Sequence, residues 1–213
     1  MSGTTTDRFL AALRSTTGID QLDWATPPVP LHGGFWAEMY TVEIADPPPH
    51  LTGRLVARIM PDPVTAAFET AIQRHVHRHG VPVPAIRAAS GPTSELDRAW
   101  TLMDRAPGRP MLDGLTASRA VRNAPTLYRQ LPDLLARATT TLHRCPTVGP
   151  DLDNHRHRAS IEALLERIAE QARSIGRDDL ARTARRLADD APTGRVICHG
   201  DLHPFNLLRS GDH

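Results

Sequence analysis

The sequence predicts an α+β protein with a strand-rich first half and a helical second half. Between Leu31 and Met103, short apolar runs of strand length alternate with turns rich in glycine and proline. From Thr126 to Asp190, apolar residues instead recur at helical spacing. Pro107-Gly108-Arg109-Pro110 separates the two regimes, and neither a helix interior nor a central strand tolerates that composition. These observations divide the chain into a first lobe over residues 1–104 and a mainly helical second lobe over residues 105–213.

The elements follow in order. Asp7 to Ser15 is a short amphipathic helix, and Pro27, Pro28 and Pro30 bound the loop after it. Leu31 to Ile44 reads as a strand, a glycine turn and a second strand, ended by Asp46-Pro-Pro-Pro-His50. Leu51 to Ile59, with Leu55, Val56, Ala57 and Ile59, is a buried strand. A helix spans Val64 to Arg78, closed by Gly80 with Pro82 just beyond. Ala85–Ala89 and Ala99–Met103 are two further strands around the turn-rich Ser90-Gly-Pro-Thr-Ser94. In the second half, Leu131, Leu134, Leu135, Ala138 and Leu142 define a helix over Thr126–His143. Ile161, Leu164, Leu165 and Ile168 define one over Ser160–Ser174, and Leu180, Ala184 and Leu187 one over Asp178–Asp190. Val196-Ile197-Cys198 is a short strand-like run before a polar loop.

Composition removes several function classes. The 213 residues are 40% apolar, enough for a core, and no stretch nears the roughly 18 apolar residues of a membrane span. Twenty-five basic residues against 24 acidic ones leave a net charge of +1, with no global field to attract nucleic acid. Two cysteines make a disulfide-stapled scaffold unsupported, and the N-terminus lacks a secretory pattern, so a cytoplasmic protein is expected. Every basic residue is arginine, so any lysine role in phosphate binding falls to arginine.

The chemistry concentrates in His199-Gly-Asp-Leu-His-Pro-Phe-Asn206. An Asp and an Asn five residues apart, after an apolar run, suit a loop that aims a carboxylate at a substrate hydroxyl. An amide oxygen on the same side holds a metal ion, and phosphoryl transfer uses that combination. A turn without chemistry is the plainer reading, since Asp and Asn are common turn residues, but it does not account for four specified types at these offsets.

This octapeptide resembles the catalytic loop of the aminoglycoside phosphotransferase family, small-molecule kinases with a protein-kinase-like two-lobed fold. The resemblance extends over nearly the whole chain. Leu31-His-Gly-Gly-Phe-Trp-Ala-Glu-Met-Tyr40 is similar to the family's glycine-turn hairpin, and Leu55-Val-Ala-Arg-Ile-Met-Pro61 to its third strand. Gly80-Val-Pro-Val-Pro84 matches its segment after the first-lobe helix, and Trp100 to Pro110 its interlobe hinge. The resemblance implies that residues 1–104 form the nucleotide-binding half and that ATP or GTP is the donor, with Mg²⁺. Asp201 would then be the catalytic base and Asn206 a metal ligand. Arg58 would bind phosphate and pair with Glu69, Gly33 and Gly34 would cover the phosphates, and Met103, Asp104 and Arg105 would meet the base through their backbone. The acceptor is a hydroxyl of an aminoglycoside-like or other small molecule, with neither nucleic acid nor membrane as partner.

The family continues past this loop to an aspartate that is its principal metal ligand, followed by further helices. Here Leu207 to His213 follows Asn206, and Asp212 comes too early for that role. The expectation is therefore a C-terminally truncated member, impaired as a 213-residue chain and prone to self-association through exposed helix faces. The alternative is a non-catalytic, kinase-like remnant that retains nucleotide binding. Among the other candidates, His75 and His79 stand one helical turn apart, but no third ligand is spaced to close a zinc site, so they read as a solvated helix face. His203 is expected to pack and hydrogen-bond rather than react, Cys198 to be an inert core thiol, and Cys145 to carry no signal.

Overall fold

A computed structural model describes residues 4–31, 37–90, 96–110, 117–150, 152, 161–190, 195–204 and 206–209; within 117–128 it describes the backbone alone. In chain order the elements are α1 (Thr5–Thr17), β1 (Asp23–Trp24), β2 (Val29–Pro30), β3 (Glu38–Val42), β4 (Ile44–Ala45), β5 (Leu55–Met60), α2 (Pro63–Arg78), β6 (Ile86–Ala89) and β7 (Ala99–Asp104). Then follow β8 (Arg109–Pro110), α3 (Ala117–His143), α4 (Ile161–Ser174), α5 (Asp178–Asp189) and β9 (Leu208–Arg209). The protein is α+β, as the sequence predicts. Among the described residues no helix is long and apolar enough to cross a membrane.

A five-stranded antiparallel sheet in the order β2-β3-β5-β7-β6 organises the first half. Alternation along β5 sends Leu55, Ala57 and Ile59 to one face, where they meet Trp100 and Leu102 of β7 and Phe9, Leu10 and Leu13 of α1. Phe9 stacks on Trp24 with ring centroids 6.0 Å apart and meets Trp100 edge-on at 5.0 Å. Side chains of this size each contribute about 2 kcal/mol on full burial, so α1 is held by its apolar stripe. It starts two residues before the expected Asp7 because Thr4 caps it. Thr4 Oγ1 accepts from the Asp7 N–H at 3.2 Å and Asp7 Oδ2 accepts from the Thr4 N–H at 2.9 Å, a reciprocal capping box.

The opposite face receives α2. Met60 and Ala99, paired across β5 and β7, pack with Ala66 of the helix. The Asp62 carboxylate caps α2, accepting from the Val64 N–H at 3.0 Å, and Pro63 occupies the first turn, where its missing N–H costs nothing. Beyond the helix, Gln73 Nε2 donates to the Pro84 carbonyl at 2.9 Å and holds the Val81–Pro84 segment against it.

Several boundaries move for physical reasons. The expected strand from Leu51 begins only at Leu55, because Pro49–Leu51 forms a short 3-10 turn after the proline run. Ile44–Ala45 leaves the main sheet and pairs with Asp23–Trp24. Helix α3 starts at Ala117 rather than Thr126 and runs through Pro125. Helices α4 and α5 form a hairpin closed over Ala169, Ala172, Ala181 and Ala184, small residues that allow close approach. Residues 195–199 take no strand conformation, contrary to the apolar reading of Val196-Ile197-Cys198. Arg109 and Pro110 instead pair with Arg209 and Leu208, a two-residue ladder that brings the end of the candidate loop back to the segment after β7.

Candidate functional site

Register places the first set of candidates. On the sheet face that α2 partly covers, Met39, Arg58 and Thr101 stand opposite one another across β3, β5 and β7. Two residues further along, Thr41, Val56 and Met103 form the next row, with Val29 of β2 opposite Thr41. The same register carried one more step brings Glu43, Arg54 and Arg105 level on that face. Arg54 Nε donates to Glu43 Oε1 at 2.9 Å, and the Arg105 N–H donates to the Arg54 carbonyl at 3.0 Å. The face thus changes from a cationic row to an apolar row to a charged row over about 13 Å of strand. A cavity of about 380 Å³ opens at the charged-row end of the face, lined by Val29, Thr41, Glu43, Arg54 and Arg105 with Thr26, Leu31 and Val42, while Arg58, Val56 and Met103 lie outside its lining. The buried Thr41 hydroxyl has no hydrogen-bond partner among the described residues.

Arg58 and Glu69 meet. Arg58 Nη2 lies 2.7 Å from Glu69 Oε2, a direct ion pair joining β5 to α2, with the guanidinium side chain 27% exposed. The pair forms because Glu69 sits six residues into a helix docked on the strand's own face through Ala66. Gly33 and Gly34 lie outside the described residues.

The expected hinge is more committed than the sequence suggested. The Asp104 N–H donates to the Ala85 carbonyl at 2.9 Å, so it and the Arg105 N–H are both spent within the sheet. The Asp104 carboxylate accepts two hydrogen bonds from Arg87, at 2.6 and 2.7 Å, which raise the guanidinium pKa above its ordinary value. Met103 Sδ lies 3.5 Å from Gln73 Nε2. The Ala106 N–H, one residue beyond the expected stretch, makes no hydrogen bond among the described residues.

The second set of candidates is the loop 199–206. Gly200 takes φ +78°, a left-handed turn that a Cβ would strain, and this turns Asp201 outward so that its side chain is 76% exposed. Asn206 folds back on it. Its Nδ2 donates to the Asp201 main-chain carbonyl at 2.8 Å and lies 3.3 Å from Asp201 Oδ2. His203 Nε2 sits 3.3 Å from the same carboxylate oxygen and 3.2 Å from Asn206 Nδ2. The loop therefore assembles a carboxylate, an amide whose N–H groups face inward, and an imidazole. No hydrogen bond or ion pair among the described residues joins this loop to Arg58 or Glu69.

What supports the loop from below was not legible in the sequence. Ile197, two residues before His199, is buried with Val76 of α2 and Cys145 after α3, and Ile72, Val81, Val83, Leu142 and Leu152 pack around them. His75, read as solvated, is buried beside this cluster. Its Nε2 lies 2.7 Å from the Pro146 carbonyl, its Nδ1 has no hydrogen-bond partner among the described residues, and the His79 ring stacks obliquely at 4.3 Å. The helical offset of His75 from Ala71 and Ile72, four and three residues before it, was the available signal. Cys198 is exposed, contrary to the expected core thiol, because the chain presents Ile197 inward at this point; Cys145, which carried no expectation, is buried. Among the described residues no group of three or more His, Cys, Asp or Glu side chains could hold a metal ion.

The donor set nonetheless fits a Mg²⁺ ion bound together with a nucleotide. With Nδ2 committed to Asp201, the Oδ1 of Asn206 is the group's remaining ligand atom, beside the exposed Asp201 carboxylate. Mg²⁺ takes hard oxygen donors, often one or two from protein with phosphates and waters completing the shell.

Comparison with known proteins bears on the fold and the family. The fold is that of an aminoglycoside phosphotransferase-designated protein of Ralstonia eutropha JMP134, with a TM-score of 0.62 at 17% identity, covering 98% of this chain and 61% of that one. A macrolide 2′-phosphotransferase type I superposes with a TM-score of 0.54 at 17% identity, over 98% of this chain and 68% of its own. The aminoglycoside phosphotransferase APH(3′′)-Id of Streptomyces rimosus ATCC10970 gives 0.50 at 22% identity, over 97% and 72%. This chain thus spans 61% of the length of the Ralstonia protein. No curated protein matches it. Residues 20–213 match the phosphotransferase enzyme family, and the chain belongs to that family.

Proposed function

We propose that this protein is a small-molecule O-phosphotransferase that moves the γ-phosphoryl group of ATP or GTP to a hydroxyl of a small acceptor, working in the cytoplasm. The observation that carries the reading is the fold-back of Asn206 onto Asp201, which places an exposed carboxylate and an amide oxygen side by side. Residues 1–104 are assigned to the nucleotide and residues 105–213 to the acceptor side. Acceptors of the aminoglycoside or macrolide kind are the first to test, because similar structures carry those names.

Asp201 orients the acceptor hydroxyl and takes its proton as the acceptor oxygen bonds to the γ-phosphorus. The bond from that phosphorus to the β–γ bridging oxygen breaks, and the electron pair leaves with the nucleoside diphosphate. Arg58, fixed by Glu69, neutralises phosphate charge in the role that lysine fills elsewhere. Asn206 Oδ1 would hold the metal, beside the Asp201 carboxylate. When bound, Mg²⁺ supplies charge neutralisation between phosphate oxygens.

The test is transfer of labelled phosphate from ATP and from GTP to a panel of aminoglycosides and macrolides. Asp201→Asn is the control. It should lower turnover by about 10²–10⁴-fold, the usual contribution of a general base, while nucleotide affinity stays within about threefold. Equal turnover by the variant would remove Asp201 from the mechanism. Nucleotide binding without transfer to any hydroxyl would favour the non-catalytic alternative.

A further inference from the structure

We propose that the charged row Glu43, Arg54 and Arg105 reads the edge of the donor base and makes the donor a guanine rather than an adenine nucleotide. The inference rests on the reading above that the sheet face carrying Arg58 binds a nucleoside triphosphate. That face fixes the direction in which the ligand lies. Its cationic end is Arg58, held by Glu69 at 2.7 Å, and one row on come Thr41, Val56 and Met103. A phosphate chain at Arg58 therefore lays the sugar and base over the apolar row and points the far edge of the base at Glu43, Arg54 and Arg105. All three line the cavity of about 380 Å³, together with Val29 and Thr41.

The chemistry of that edge decides between purines. Guanine presents an acceptor at O6 and donors at N1 and N2, whereas adenine presents a donor at N6 and an acceptor at N1. Glu43 gives one carboxylate oxygen to Arg54, and its other oxygen makes no hydrogen bond among the described residues. That carboxylate can accept from N1–H and N2–H of guanine. Facing adenine it would accept from N6–H alone, with the N1 lone pair opposed to it. Arg105 has an exposed guanidinium at the same rim, a donor for guanine O6 and N7. Two main-chain donors at this edge, on Asp104 and Arg105, are already spent within the sheet, so side chains carry much of the discrimination.

The experiment is titration calorimetry of the full chain with GDP, IDP and ADP in buffer containing Mg²⁺. GDP should bind about tenfold more tightly than ADP, with IDP between them because it lacks the N2 amine. Glu43→Gln should erase the preference by weakening GDP and leaving ADP within about twofold, and circular dichroism would confirm that the variant is folded. ADP binding as tightly as GDP, or a preference that survives Glu43→Gln, overturns the inference and leaves the nucleotide site standing. Binding of none of the three overturns the nucleotide site itself, and the inference with it.

Discussion

Gly149→Ala tests whether the floor beneath the candidate loop is packed as described. A Cβ at position 149 would come to 2.9 Å from His75 Cε1 and 3.1 Å from its Nδ1, well inside contact distance. The ring has nowhere to retreat. It is 1% exposed, its Nε2 is held 2.7 Å from the Pro146 carbonyl, and the His79 ring lies against it. Overpacking a site that cannot yield costs about 1–3 kcal/mol. For a protein of this length each kcal/mol lowers Tm by about 2–4 °C, so a fall of about 2–12 °C is expected in a thermal melt. The same alanine placed in a His75→Ala background should cost almost nothing, because the opposing ring is gone. The difference between the two backgrounds isolates the contact from any general effect of replacing glycine. A melting shift below about 1 °C in the parent, or an equal shift in both backgrounds, would refute the packing.

Two further predictions use the ion pairs. Arg58→Ala should weaken nucleotide binding about tenfold, by loss of a charge-assisted contact to phosphate. Glu69→Ala should weaken it less, with the double variant no worse than Arg58→Ala alone, which calorimetric titration would show. Glu38 is the pH-sensitive case. Hydrogen bonding from Arg98 holds its carboxyl below the ordinary value against a smaller opposing effect of burial. A carboxyl lowered in the folded state stabilises the fold above its unfolded pKa, and that contribution disappears as pH falls through the folded value. Arg98→Ala should therefore remove it at neutral pH and flatten the loss of stability below about pH 4.5, measured by denaturant melts between pH 3 and 7. Parallel profiles for parent and variant would refute the linkage.

The sheet was readable because its signals are local. Leu55, Ala57 and Ile59 alternate with Val56 and Arg58, and the register then follows from which set is buried. The small ladders were not readable. Arg109–Pro110 with Leu208–Arg209 joins segments about a hundred residues apart, and nothing in either dipeptide marks it as a strand. Boundaries failed where one residue carries two meanings. Pro125 favours a helix start, yet α3 passes through it, and the apolar run at Val196 resembles a strand although only Ile197 turns inward.

The candidate site divides along the same line. Asp201 and Asn206 were legible because their function depends on a short spacing along the chain, and a loop of fixed length brings the amide back to the carboxylate whatever the rest of the fold does. Arg58 and Glu69 were legible only through resemblance, since an arginine on a strand and a glutamate on the next helix meet only if the helix docks on that face. Glu43, Arg54 and Arg105 were not legible as a group. Each is an ordinary charged residue beside a turn, and they become a row only when the antiparallel register aligns three strands. His75 was missed for the opposite reason: its own polarity and the nearby Arg74, His77, Arg78 and His79 gave it the pattern of a solvated face, while the segment after α3 supplied the carbonyl and the glycine that let it be buried. Chemistry set by spacing is written in the sequence, whereas chemistry set by register and docking is written only once the sheet and its covering helix are in place.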